Sequence, residues 1–269
     1  MDANELLTSY QEGERNFNKV NLNGIKLRKV DLYRISLESA DLSRADLSQT
    51  DLRGANLRNA DLSYSIMNRC SLSGADLSGA NLTEVELREA DLYRVNFSKA
   101  NMKDADLYEA DLREANLQNA MMEGVCLRET DMRSVDLRQA KLNLADLREA
   151  NLVGAKMTGA DLSQANLIEI SASEADLSAV NLEGANLIEA SLIGANLSQA
   201  NLKEANLDGA NLFGANLKNA DLSRSQLKMT DMTQANLAGA NLKEANIWGA
   251  YFTGANLDGA SIPENMKNS

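Results

Sequence analysis

A large apolar residue stands at every fifth position from Phe17 to Ile262, and the register never slips. Of the 50 positions on this beat, 49 hold Leu, Met, Phe or Ile; Ala172 is the exception. Two residues before each of these centres sits Ala, Val, Ile, Thr, Ser or Cys, with Arg15 the one departure. Asp or Asn usually fills the position between them, and two variable residues follow. An α-helix turns about 100° per residue, so a period of five would scatter the centres around its axis. In a straight strand five is odd, and successive centres would face opposite sides. The pattern becomes coherent only when the chain turns a corner in every pentad, so that centre and small residue both point inward. Repeated in one sense, that bend winds the chain into a solenoid.

The corner leaves its own mark. Fifteen of the 16 glycines, all but Gly13, lie two residues after a centre, where Gly fits a tight turn without steric cost. Glu, Asn, Gln, Lys and Arg share that position, so at least two turn types are expected. Only the Gly and Asn corners should be type II, which needs a positive φ at its third residue.

The stretch "GANLIEASLIGANLSQANLKEANLDGANLFGANL", residues 184–217, resembles the pentapeptide-repeat family, whose pattern is A-(D/N)-L-x-x. The match runs from 15 to 262. The resemblance implies an all-β fold: a right-handed quadrilateral β-helix of about 12 coils, with one pentad per side and four per coil. At about 4.8 Å per coil the solenoid would be roughly 60 Å long. Residues 20 apart should then stack in columns. The core would be a column of Leu edged by Ala, and Ile170, two residues before Ala172, is expected to replace the volume lost there.

Three segments follow: a helical cap over 1–14, the repeat over 15–262, and a tail over 263–269. Asp2 or Asn4 can N-cap a short helix, Leu6, Leu7 and Tyr10 share a face of it, and Gly13 can stop it. The motif "LLTSYQEGERNF" is similar to the caps of many cyanobacterial members of the family. At the other end Trp248, Tyr251 and Phe252 crowd the last full coil; either the tail with Pro263 folds over them or a second copy of the chain does. No charged-then-apolar leader and no long apolar run is present, so a cytoplasmic protein without a membrane span is expected. Cys70 falls on an inward site and Cys126 on an outward one, too far apart along the axis for a disulfide. Both thiols should be reduced.

Composition narrows the chemistry. The chain has no histidine, which removes the commonest general base and metal ligand. Most Asp residues precede a centre, where Asn substitutes freely and a short polar side chain can hydrogen-bond nearby backbone. A filled solenoid offers no deep pocket. No enzyme, cofactor or metal site is expected. With a net charge of −12 and a pI near 4.6, direct nucleic-acid binding is not expected either.

One outer column is conspicuous: Glu89, Glu109, Glu129, Glu149, Glu169 and Glu189 fall 20 apart without interruption. Arg88, Arg128 and Arg148 precede some of them, while Ile168 and Ile188 precede others. Together with Ile193 and Phe213 these apolar residues form a candidate docking strip; alternatively the column is a solvated corner of partly paired charges. The favoured function is a non-catalytic scaffold that docks protein partners through its side columns, as the family resemblance also implies. Some members of the family act on DNA gyrase as duplex mimics, which is the alternative; a purely structural spacer is a third. Trp248, Tyr251 and Phe252 are the candidate end interface, through which a homodimer would form.

Overall fold

The computed structural model describes residues 1–263, in two compact units, Met1–Asp136 and Leu137–Ser269. Helix α1, Ala3–Gln11, opens the first. Asp2 caps it, as the sequence allowed: its carboxylate accepts the Glu5 N–H while Glu5 accepts the Asp2 N–H, each at 2.9 Å. Leu6 is fully buried, and the Tyr10 hydroxyl donates to the Tyr33 carbonyl at 3.0 Å, tying the helix to the repeat. Arg15 lies 3.8 Å from the centroid of the Tyr10 ring.

Within each unit the repeat builds one lattice. The residue before each centre forms a parallel bridge with its counterpart 20 further along, as in Asp51 with Ser71 and Asp161 with Asn181. Pentad 51–55 shows where all five N–H groups go. Asp51 donates back to Val30 at 2.9 Å, Leu52 forward to Ser71 at 2.7 Å, and Gly54 forward to Ser73 at 3.0 Å. Ala55 closes the turn onto the Leu52 carbonyl at 3.0 Å. The fifth, that of Arg53, finds Asp51 Oδ1 at 3.0 Å. The Asp or Asn before a centre is therefore structural: it supplies the one acceptor that the backbone lattice lacks.

Three pentads replace that acceptor by a neighbour. Where Ser36, Glu86 and Gln226 stand before the centre, the orphaned N–H of Glu38, Arg88 or Lys228 turns to the side chain 20 residues earlier. Asn18, Asn68 and Asp208 accept these bonds, each at 2.9 Å. Further Asn side chains link successive coils, as along Asp161, Asn181 and Asn201 with 3.0 Å at each step.

The corners differ from the sequence expectation. Among the described residues all 34 non-glycine corners have φ between 52° and 62°, alongside 15 glycine corners at 65° to 72°. One turn sense serves them all, and Glu or Arg adopts it as readily as Gly. The reason is the lattice: within each unit the corner N–H reaches a carbonyl in the next coil, as Gly54 reaches Ser73 at 3.0 Å and Glu169 reaches Ile188 at 3.0 Å, and a corner of the opposite sense would break that register. A left-handed residue other than Gly costs on the order of 1 kcal/mol, and the bonds to the next coil offset it.

The core holds the centres as predicted, with Leu22 to Leu242 all buried. At Ala172 the expectation fails. An apolar cavity of about 10 Å³ remains there, lined by Ile170, Ala172 and Leu side chains including Leu152 and Leu192. Ile170, branched close to the backbone at a site beside the turn, presses on the turn and fills only part of the space that a Leu centre would take. The Ile170 N–H to Leu167 carbonyl bond stretches to 3.4 Å, against 3.1 Å for Ala165 to Leu162. Cys70 is buried, Cys126 is half-buried, and neither is in a disulfide. Pro263 is buried; the rest of the expected tail lies outside the described residues.

Candidate functional site

The Glu column is two different surfaces. In the first unit it is tied into its surroundings. Glu89 takes a two-point contact from Arg69, at 2.7 and 2.8 Å, which holds its carboxyl below the usual range. Glu129 accepts the Tyr108 hydroxyl at 3.1 Å and lies 3.9 Å from Arg128. Hydrogen bonds from Tyr108 to Glu109 and Glu129, with the charges of both carboxylates, push that phenol up to about 12.

In the second unit, Glu149, Glu169 and Glu189 are exposed and have no ion pair or side-chain hydrogen bond among the described residues. Their backbone N–H groups donate to Ile168, Ile188 and Asp208, each at 3.0 Å, which fixes the three in register. Ile168 and Ile188, half-buried, flank the column on one side. On the face beyond the corner, Ile193 and Phe213 stand 20 apart and are each 39% exposed. In the repeat register Ile168 and Ile188 adjoin the Glu column directly, whereas the polar column Ser171, Ser191 and Asn211 stands between it and Ile193 and Phe213. Trp248 lies apart: the Asp208–Lys228 pair, at 3.7 Å, interrupts the column between Ile188 and Trp248. Trp248 and Tyr251 are 69% and 53% exposed, and Phe252 is half-buried, so described residues cover none of the three fully.

Other charges in the first unit pair among themselves. Arg53 holds Asp51, Arg113 reaches Asp111 and Asp131, and Arg133 holds Asp131. The guanidinium beside each holds Asp51, Asp111 and Asp131 below their usual range. Among the described residues no set of three or more Cys, Asp or Glu side chains is arranged to hold a metal ion, and no helix is long and apolar enough to cross a membrane.

The family model described as "Pentapeptide repeats (8 copies)" matches residues 16–54, 40–79, 55–92, 70–108, 90–128, 130–168, 173–209, 190–228, 200–239 and 235–262. The chain is a pentapeptide-repeat protein. The family's fold is a right-handed β-helix, in agreement with the parallel bridges of both units. The matches leave out 169–172, the segment that carries Ala172. Among solved structures the chain is similar to HetL from the cyanobacterium Nostoc sp. strain PCC 7120, described as involved in heterocyst differentiation regulation. They share 34% identity over 98% of each chain, with a TM-score of 0.38. It is also similar to alr5209, a pentapeptide repeat protein from Nostoc PCC 7120, at 39% identity over 39% of this chain and 80% of that one, TM-score 0.27. QnrB1, a plasmid-mediated fluoroquinolone resistance protein, shares 18% identity over 94% of each chain, TM-score 0.25. A search of curated proteins found no match.

Sequence reasoning missed several exposed apolar residues, among them Ile66, Met121 and Leu144, which are 39%, 50% and 54% exposed. For two of them a signal was present. Ile66 and Met121 occupy the position before the centre, which Asp or Asn fills in most pentads.

Proposed function

We propose that this pentapeptide-repeat protein is a non-catalytic docking module whose Glu149–Glu169–Glu189 edge receives a basic, apolar segment of a partner protein. The observation that carries the reading is that these exposed carboxylates stand in register, unpaired among the described residues, beside the apolar column of Ile168 and Ile188. Carboxylates stacked about 4.8 Å apart repel by roughly 1 kcal/mol or less per neighbour in water. A partner's Lys or Arg relieves that repulsion, and covering Ile193 and Phe213 contributes about 25 cal/mol per Å² of apolar area. The finer geometry belongs to the same proposal: four-sided coils with one pentad per side, about 12 turns from the 50 pentads.

The interleaved Arg–Asp pairs of the first unit favour docking over duplex mimicry, because a phosphate backbone is an array of one sign. HetL is described as a protein of developmental regulation, and we infer a regulatory role of that kind for this chain. Its working place would be the cytoplasm. The exposed Trp248 and Tyr251, with Phe252, would form a second interface, for another copy of the chain.

Affinity capture from the native cell tests the main reading. The E149K/E169K/E189K variant should lose a partner that the unaltered chain retains, with an unchanged circular dichroism spectrum. An identical set of captured proteins would remove this edge from consideration.

A further inference from the structure

Two pentads of the second unit have the same sequence and differ in what holds them. Residues 206–210 and 256–260 both read NLDGA, so each places Asp directly before a glycine corner. Asn23–Gly24, in the first unit, is the chain's one Asn–Gly pair. In all three the backbone nitrogen of Gly can attack the carbonyl of the preceding side chain, because no Cβ shields it and the Gly backbone turns freely. The lattice decides which pair is able to do so.

The Gly24 N–H donates to the Ser43 carbonyl at 2.9 Å, and that of Gly209 to the Lys228 carbonyl at 2.8 Å. The side chains ahead of them are held as well. Asn23 Nδ2 donates to Ser43 Oγ at 2.6 Å, and Asp208 Oδ1 accepts the Lys228 N–H at 2.9 Å. Ring closure at either pair requires the corner to release the next coil and to lose these hydrogen bonds. The Gly259 N–H has no partner among the described residues, and the exposed Asp258 carboxyl has no hydrogen bond or ion pair among them. The peptide between Asp208 and Gly209 is fastened on both sides, since its carbonyl accepts from Glu189 at 3.0 Å. The peptide between Asp258 and Gly259 is fastened on its carbonyl alone, by Gly239 at 2.8 Å.

We propose that Asp258–Gly259 is a modification site, the pair that forms isoaspartate in the folded protein. The Gly259 nitrogen attacks Cγ of the protonated Asp258 carboxyl, gives up its proton and expels water, which closes a succinimide ring. Water then opens the ring at either carbonyl. Attack at Cγ returns aspartate. Attack at the main-chain carbonyl leaves the chain running through Cβ and Cγ. One water is lost and one regained, so no other reactant is needed. The product lengthens this pentad by one main-chain carbon and turns the carbonyl that accepts from Gly239 into a free carboxylate, beside the pentad of Phe252.

The test incubates the full chain, dilute enough to avoid contacts between copies, at neutral pH in heavy-oxygen water. Rapid digestion and electron-transfer fragmentation then locate the incorporated oxygen and the isoaspartate. Both should accumulate at Asp258 at least about tenfold faster than at Asp208, a barrier difference of about 1.4 kcal/mol, and faster than Asn23 loses ammonia. In guanidinium, where the lattice is gone, the two identical pentads should react alike and Asn23 should overtake both, because Asn–Gly closes faster than Asp–Gly in free peptides. Gly259→Ala should suppress the reaction at Asp258, and the corner accepts it, since Ala179 holds a corner at a φ of 52°. Label appearing at Asp208 or Asn23 as fast as at Asp258 in the folded chain overturns the proposal. A folded Asp258 that stays unlabelled while the denatured chain reacts does the same. Unequal rates at the two Asp sites in guanidinium would also overturn it, by tracing the difference to local sequence.

Discussion

Ile170 and Ala172 supply the sharpest test of how this core is packed. The cavity at Ala172 is about 10 Å³, room for roughly one water-sized group and far short of the three carbons that separate Ala from Leu. Ala172→Leu alone should therefore overpack against Ile170 and destabilise by about 1–3 kcal/mol. Ile170→Ala alone removes a buried side chain beside an existing void and should cost about 3 kcal/mol or more. The double variant returns both sites to the residues of most other pentads, and its stability should lie within about 1 kcal/mol of the parent. The two substitutions are then coupled by at least about 2 kcal/mol. Urea unfolding gives the overall values. Because long repeat arrays depart from two-state behaviour, amide hydrogen exchange should read the region locally. The informative amides are those of Ala175 and Val180, whose turn bonds are stretched to 3.3 Å; the double variant should raise their protection. An Ala172→Leu chain more stable than the parent, or additive effects in the double variant, would refute the packing argument, because either means that Ile170 does not compete for the space.

Other consequences follow from the lattice and the charges. Asn18→Ala, Asn68→Ala and Asp208→Ala should each cost about 1–2 kcal/mol in chemical unfolding, whereas Lys103→Ala, on the same kind of surface position, should be nearly silent. Glu174→Ile, which places a β-branched residue at a φ of 59°, should destabilise by clearly more than Glu174→Ala; equal losses would remove the steric account of the corners. Tyr108, with a pKa raised from 10.0 to about 12, contributes stability that is present below pH 10 and lost as pH rises towards 12. Ultraviolet titration should find one late phenol that shifts down in an E109Q/E129Q variant. Asp51, Asp111 and Asp131 have depressed values, so their contribution is present above the ordinary aspartate range and lost as pH falls through the depressed values. An Arg113→Gln, Arg133→Gln chain should lose the Asp111 and Asp131 part of that contribution, keep the Asp51 part, and show a flatter acid limb in its melting profile.

The inward half of this fold is legible because burial is decided by side chains. A Leu at every fifth position has few ways to be buried, and the column of centres follows from it. The cap was legible for a similar reason, since Asp2 and Glu5 are spaced to satisfy each other's N–H. The corners were misread because Gly and Asn were taken as the only marks of positive φ. The better signal was an absence. None of the 34 non-glycine corners is Val, Ile or Thr, although Val153, Ile168, Ile188 and Thr158 occupy the position just before a corner. Branching at Cβ is what a left-handed residue cannot tolerate, so the exclusion of those residues, more than the presence of Gly, reports the turn. Ala172 was misread because volume was counted without regard to where the side chain branches.

The same lattice explains why the outer surface is harder to read and why its irregularities are informative. Each pentad needs an apolar centre, a small inward neighbour and a corner unbranched at Cβ, and most add one side-chain acceptor. Beyond these the backbone is indifferent, so Glu at a corner can be chosen by solvent as easily as by a partner. Only the pairing decides, and pairing separates the Glu89–Glu129 half of the column, held by Arg69, Tyr108 and Arg128, from Glu149, Glu169 and Glu189. The acceptor position is different, because a departure there has a structural cost. Ser36, Glu86 and Gln226 depart and are compensated by Asn18, Asn68 and Asp208 one coil away. Ile66 departs with no such compensation for the Asn68 N–H among the described residues. The same N–H is left without a side-chain acceptor among the described residues after Lys26, Ser71, Lys156, Ser171 and Ser191, so on a solvated face the lattice tolerates the loss, and an unrepaired position does not by itself mark a ligand.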